Sequence, residues 1–321
     1  MKTVSVVMAT YNGERYLREQ IDSILGQTYP VHELIVQDDC STDGTTAIVR
    51  QYAEKHPFVR LYVNERNVGY NENFRRGVMH ATGDLVALSD QDDIWFPQKL
   101  ERQVAAIGQN DLCFSNTLDG ETLEEAAMNR DRRYTLETII WGNQVPGHTM
   151  LCRREFVQNV ENWQGDEYYD KSLTIHALIG GSVVKVGEAL NFHRRLSSSV
   201  TYAPVPAVTW QPYVYGWRIY RQWQNHPPYR NMHAYFYEKT TDTPHTTAND
   251  MLRLMLRHDL PSLLRLCLLC MKHRSDTYPT PPANGLKGML RAFFMPLFVA
   301  YGWQQRELYN RQRIKSGTIN K

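Results

Sequence analysis

Long apolar runs are missing. No stretch of the 321 residues approaches the ~20 consecutive apolar positions that cross a bilayer, which excludes a helical membrane-spanning protein. Cysteine is sparse: the five present are an odd number, which argues against a disulfide framework and agrees with a reducing compartment. The opening, Met1-Lys2 and then Thr3 to Ala9, is too short and too β-branched for a secretory leader. No small-residue cleavage site follows it, so the chain is expected in the cytoplasm. No G-x-G-x-x-G follows the first apolar run, which argues against a nicotinamide-dependent oxidoreductase. The eleven histidines show neither H-E-x-x-H nor zinc spacing, and there are no repeats or low-complexity tracts.

The charge is nearly balanced in sum but not in place. From Met251 onward there are 12 Lys and Arg against 3 Asp and Glu, while the first 250 residues hold 24 against 31. An acidic body with a basic tail does not suit nucleic acid, and no recognition motif for it appears.

Within the first hundred residues, strand and helix patterns alternate. Strands are expected at Thr3–Thr10, Glu33–Gln37, Val59–Val63 and Leu85–Ser89, and helices at Glu14–Gln27, Thr45–Lys55 and Asn71–Ala81. That alternation predicts an α/β fold with a mostly parallel sheet, whose ligands bind at the carboxyl ends of the strands. Those ends are polar here: Thr10-Tyr11-Asn12, Asp38-Asp39 and Asp90-Gln91-Asp92-Asp93. Further on, short strands are expected at Leu112–Ser115 and Ser182–Val186, with a helix near Asp170–Ile179. Thr201–Pro212 reads as a linker, Tyr213–Gln224 and Ala248–Lys272 as helices, Tyr278–Asn284 as a proline-rich break, and a last helix starts near Gly285. Cys267 and Cys270 lie in an apolar helix without a second pair, so core packing is their expected role.

The acidic turn carries the chemistry. Three carboxylates in four residues repel one another unless a cation joins them, and a hard divalent ion takes carboxylate and phosphate oxygens. Asp90 and Asp92, two apart in extended backbone, project toward one side. The buried strand before them and Ile94-Trp95-Phe96-Pro97 after them argue against a merely solvated turn.

These pieces resemble the family-2 glycosyltransferases of the GT-A fold. The matching strings are Val4–Leu17 (VSVVMATYNGERYL), Gln20–Tyr29 (QIDSILGQTY), Glu33–Thr45 (ELIVQDDCSTDGT), Asn67–Phe74 (NVGYNENF) and Ala81–Leu100 (ATGDLVALSDQDDIWFPQKL). The DQDDIW form is similar to bacterial enzymes of O-antigen and other surface-polysaccharide synthesis, many of them rhamnosyltransferases. The likeness is strong over residues 3–103, weaker to about 200, and absent beyond. It implies a GT-A catalytic domain over 1–205, with a nucleotide-binding half to about 110 and an acceptor half from 111. A mainly helical region, 206–321, follows.

The resemblance also implies roles. Asp39 would meet the nucleotide base, with Thr10, Tyr11 and Asn12 flanking it and Asn73 and Gln91 on the donor. Asp90 would lie near the donor ribose and sugar. Asp92 would ligate Mn²⁺ or Mg²⁺, with Asp90 and His193 as further candidate ligands. Relatives often carry Tyr-Arg-Gln-His where this chain has His193-Arg194-Arg195-Leu196, so His193 would substitute, or Arg194 and Arg195 would hold the diphosphate. Asp170 is favoured as general base, eighteen residues before Glu188, with Asp166 and Glu167 in reserve. Trp95, His148 and Arg194 are candidate acceptor or diphosphate contacts, with core packing beneath the metal turn as the other reading of Trp95 and structural hydrogen bonding as that of His148. The donor implied is a nucleoside-diphosphate sugar, dTDP-rhamnose before a UDP-sugar, and the acceptor a lipid-linked glycan at the inner face of the membrane. A nucleotide-sugar-binding protein without turnover is the alternative. The basic amphipathic segment Leu286–Trp303 reads equally as a peripheral membrane contact or as a helix packed on the catalytic domain or a second subunit.

Overall fold

The computed structural model describes residues 1–128, 133–164, 168–196, 210–242, 246–277 and 285–315. Asp166, Glu167, residues 201–209 of the expected linker and the proline-rich break lie outside the described residues. Two compact units are present, Met1–Asn129 with Val145–Arg194, and Arg130–Gln144 with Arg195–Lys321. The sequence reading kept 130–144 with the catalytic part, because nothing in its composition marks it off.

In chain order the elements are β1 (Val4–Thr10), α1 (Leu17–Leu25), β2 (Glu33–Asp38), α2 (Thr45–Lys55), β3 (Val59–Val63), α3 (Tyr70–Met79), β4 (Leu85–Ser89), β5 (Ile94–Trp95) and α4 (Lys99–Ile107). Then come β6 (Leu112–Gly120), β7 (Ala127–Met128), α5 (Leu136–Ile139) of the second unit, β8 (Met150–Arg153), α6 (Arg154–Gln158), α7 (Tyr169–Ile179) and β9 (Val183–Arg194). The sheet runs β3-β2-β1-β4-β8-β6-β9-β5, with β7 paired to β6 at the side. Its first four strands are parallel. β8 lies antiparallel between β4 and β6, β9 runs parallel to β6, and β5 closes the order antiparallel to β9.

The expected strands and helices of the first hundred residues are all present. β2 and β4 are buried along their whole length and β1 along nearly all of it, as strands covered on both faces must be. α1 buries Leu17, Ile21 and Ile24, the helical stripe visible in the sequence. β9 is longer than expected. It continues past Gly187 and Glu188, and register shifts opposite Ser115, Asn116 and Leu118 let it stay on β6.

The second unit adds α8 (Gln211–Asn225), α9 (Pro227–Thr240), α10 (Thr246–Met255), α11 (Leu260–Lys272), α12 (Arg274–Thr277), α13 (Leu286–Phe293) and α14 (Met295–Lys315). The single helix expected over Ala248–Lys272 is two. Asp259 caps the second by accepting from Ser262 N at 2.7 Å, and Pro261 occupies its first turn. Cys267 and Cys270 are buried free thiols within α11, in the packing role expected of them.

Candidate active site

β1 and β2 end side by side, Thr10 opposite Asp38, and their loops are stitched together. Thr10 Oγ1 donates to Asp38, Asn12 N to Ser41 Oγ, and Thr42 N to Asn12 Oδ1. Asn12 and Cys40 hold left-handed backbone, at φ 47° and 64°, so each strand leaves the sheet through a strained bend. Gln91 ties the acidic turn to the first of these loops. Its Oε1 accepts from Tyr11 N at 2.8 Å and its Nε2 donates to Tyr11 O at 3.1 Å. A Cβ on Gly13 would overlap the Gln91 amide, so glycine there is a matter of space.

Asp39 is buried and accepts from Asn64 Nδ2 and from the backbone N–H groups of Val68 and Gly69. Asn73, also buried, joins this network by accepting from Asn64 and donating to Gln37 O. The structure therefore places Asn73 out of solvent, organising the loop after β3. Trp95 is likewise buried, in the place beneath the acidic turn expected for it as a core residue and not as a ligand contact.

Strand pairing, rather than sequence proximity, assembles the rest. β5 follows Asp93 directly and pairs antiparallel with β9, Ile94 opposite Phe192 and Trp95 opposite Asn191. That register carries His193 to the acidic turn, while β9's other edge sets His193 against Asp119 of β6. A short 3-10 turn at Gly147–Thr149, leading into β8, delivers His148. Its Nδ1 lies 3.4 Å from Asp90 and 4.0 Å from Asp93, and its ring stacks on His193 with centroids 4.4 Å apart. Asn191 Nδ2 donates to Asp93 at 3.2 Å. Arg194 clamps the turn from outside, donating to Asp92 O at 3.2 Å and pairing with Glu19 at 2.8 Å across the Tyr16 ring.

Beneath the turn, Lys99 at the start of α4 is fully buried. Its ammonium donates to His148 O at 2.6 Å and lies 4.2 Å from the Trp95 ring centre. Asp170, in the first turn of α7, accepts from Gly147 N at 3.2 Å and Lys171 N at 2.8 Å. A Cβ on Gly147 would strike the Tyr169 hydroxyl, so this approach of α7 to the His148 turn requires glycine.

The charges in this space are strongly coupled. Burial, then the Asp93 and Asp90 carboxylates, pushes Asp92 up to about 7. Burial also raises Asp93. Asp90 feels the same burial, yet the hydrogen bond and charge of His148, with His193 and Lys99, hold it below its ordinary value. Burial drives Lys99 down to about 7 against the pull of Asp93 and Asp90. His193 is raised to about 9: burial opposes its charge, but Asp119 and Asp93 outweigh that. Burial raises Asp170 to about 6, opposed by its two backbone donors.

Asp93, His148 and His193 each offer a ligand atom within 4.8 Å of the others. Asp93 Oδ1 and His148 Nε2 are buried without a hydrogen-bond partner, as atoms reserved for a cation would be. Asp119 meets His193 Nδ1 at 3.2 Å, the arrangement in which an outer carboxylate orients an imidazole able to ligate a metal. Mixed imidazole and carboxylate donors fit a divalent transition metal better than Mg²⁺, which prefers oxygen throughout. The sequence reading had His193 among its candidate ligands and His148 nearby. Asp93 was counted there among the three carboxylates of the acidic turn without a ligand role of its own, and Asn191, Asp119 and Lys99 carried no signal.

Residues 5–163 match the family described as Glycosyl transferase family 2. EpsE of Bacillus subtilis, a protein with a glycosyltransferase name, is 48% identical over 103 residues, 32% of this chain and 37% of its own. The chain spans between about a third and a half of the length of the curated relatives it matches first. Among solved structures, S. aureus TarS 1-349 in complex with UDP-GlcNAc aligns with a TM-score of 0.57 at 16% identity, covering 97% of this chain and 92% of that one. The mannosyltransferase PcManGT from Pyrobaculum calidifontis, solved with GDP-Man and Mn²⁺, aligns at 0.53 and 17%, covering 97% and 87%. At such identities the likeness is one of fold, and it is the GT-A fold expected from the sequence. The family match covers both the parallel strands and the acidic turn: residues 5–163 of this chain are a family-2 glycosyltransferase domain.

Proposed function

We propose that the chain is an inverting, divalent-metal-dependent glycosyltransferase acting on a nucleoside-diphosphate sugar. The observation that carries this reading is the meeting of the Asp90–Asp93 turn with His148, His193 and Asp170, from four separate parts of the chain. Asp170 takes the proton of the acceptor hydroxyl, and the freed oxygen attacks the anomeric carbon from the face opposite the diphosphate. The bond from that carbon to the diphosphate oxygen breaks, and the nucleoside diphosphate leaves with the electron pair. Asp93, His148 and His193, with Asp92 and Asp90 beside them, would hold the cation, Mn²⁺ before Mg²⁺. When bound, it neutralises charge developing on the leaving group. Asp39 and the Thr10–Asn12 bend would flank the base, and Arg194 would fix the turn near the diphosphate.

Family pattern favours dTDP-rhamnose, with a UDP-sugar next, and a lipid-linked surface-polysaccharide intermediate, O-antigen or capsule, as acceptor at the inner face of the membrane. The alternative, a binding protein without turnover, rested on a missing histidine, and His193 lies in the cluster. Asp170→Asn separates the two readings. The transferase reading expects wild type to release nucleoside diphosphate from one donor of a panel, and the variant to bind that donor without turnover. Binding without turnover by wild type, across donors and glycan acceptors, would establish the binding protein instead.

A further inference from the structure

Within the second unit the basic tail becomes a surface. α11 and α13 pack on each other. α11 buries Leu263, Leu266, Cys267 and Cys270 but leaves Leu260, Leu264 and Leu268, four apart along one stripe, 49%, 48% and 51% exposed. α13 is the reverse of an ordinary surface helix. The residues it buries are the small Gly288 and Ala292, whereas Leu286, Met289 and Leu290 are 73%, 36% and 50% exposed. On the same two helices Arg265, Lys272, Lys287 and Arg291 are exposed and neither helix contains an Asp or Glu, the nearest carboxylate in sequence being the exposed cap Asp259 before α11.

We infer that the α11–α13 face docks on an anionic lipid bilayer. Large aliphatics turned outward on helices whose own charged side chains are all cations are what an interfacial helix pair presents to acidic headgroups: the leucines enter the acyl boundary and the cations meet the phosphates. A second copy of the chain is the weaker occupant. A two-fold contact through this face would set four cations against the same four cations with no carboxylate from either helix between them. The inference uses only the second unit and does not depend on sugar transfer.

The test is co-sedimentation of the full chain with vesicles of phosphatidylcholine alone or with about one-third phosphatidylglycerol, a charge density that attracts polybasic segments. No nucleotide sugar is added, so failure here leaves the transferase reading untouched. Binding is expected to the acidic vesicles only and to weaken as salt is raised. Leu264→Ser with Leu290→Ser should reduce partitioning by roughly tenfold or more, since each change withdraws a leucine from the acyl boundary. Lys287→Gln with Arg291→Gln should reduce it by about fivefold or more at low salt. All four residues are exposed, so an unchanged circular dichroism spectrum is expected of both variants. Equal binding to neutral vesicles, no binding to acidic ones, or retained binding by folded leucine and cation variants would each overturn the inference. So would a concentration-dependent dimer that the leucine variant abolishes, which would make the occupant a second copy.

Discussion

Lowering the pH from 7 to 5 should remove most of the turnover through a single group, Asp170. Its carboxyl is raised to about 6, chiefly by burial, and two backbone N–H groups keep it from rising further. A general base works only when ionised, so a raised pKa means activity is lost as the pH falls through about 6 and is full above it. With that value the carboxylate is about 91% ionised at pH 7 and about 9% at pH 5, a loss of about tenfold. At the ordinary value of 3.8 it would still be more than about 90% ionised at pH 5, and the rate would scarcely change. The assay is initial-rate release of nucleoside diphosphate at saturating donor, acceptor and Mn²⁺, conditions in which bound cation keeps its own ligands deprotonated. Asp170→Asn should lower the rate by ~10²–10⁴-fold and abolish this limb of the profile. A flat rate between pH 7 and 5 in wild type, or an unchanged profile in the variant, would refute the assignment.

Other consequences follow from the same geometry. Asp119→Ala removes the carboxylate that orients His193, and Mn²⁺ affinity measured by titration calorimetry should fall ~10–100-fold with the fold intact; undiminished affinity would take His193 out of the metal shell. Gly147→Ala drives a methyl group into the Tyr169 hydroxyl, so the urea midpoint should drop by the equivalent of ~1–3 kcal/mol, and a wild-type midpoint would contradict that packing. Lys99 ionises near 7 when folded and at 10.5 when unfolded, so the folded state binds fewer protons between those values. Wild type should therefore gain stability relative to Lys99→Met as the pH rises from 7 to 9, and a difference independent of pH would count against a buried, weakly basic Lys99.

The parallel strands and the acidic turn were legible because they are local. Val4–Thr10 and Leu85–Ser89 are apolar runs closed by polar turns, and each pattern fits inside one element. What escaped was register. The strand expected from the apolar pattern stopped at Val186, yet β9 runs on to Arg194, and this extension brings His193 beside Asp93. Whether Asp92 or Asp93 faces the histidines depends on how β5 pairs with β9, a long-range fact with no local signature. Lys99 was passed over for a related reason: a lysine at the start of a helix reads as solvated, and only the fold reveals that it is sealed beneath the turn. In the second unit, the apolar runs on either side of Arg257-His258-Asp259 were joined into one helix, which hid the Asp259 cap and the break before α11.

The measurement that tests the central claim most directly is donor turnover by wild type, Asp92→Ala and Asp93→Ala, each with Mn²⁺, with Mg²⁺ and with EDTA. One nucleotide sugar should be cleaved by wild type with Mn²⁺, more slowly with Mg²⁺ and not with EDTA. Asp93→Ala should be silent although folded, because its carboxylate stands with the two histidines, and Asp92→Ala should be silent as well. Undiminished turnover in EDTA, or full activity in folded Asp93→Ala, would contradict it.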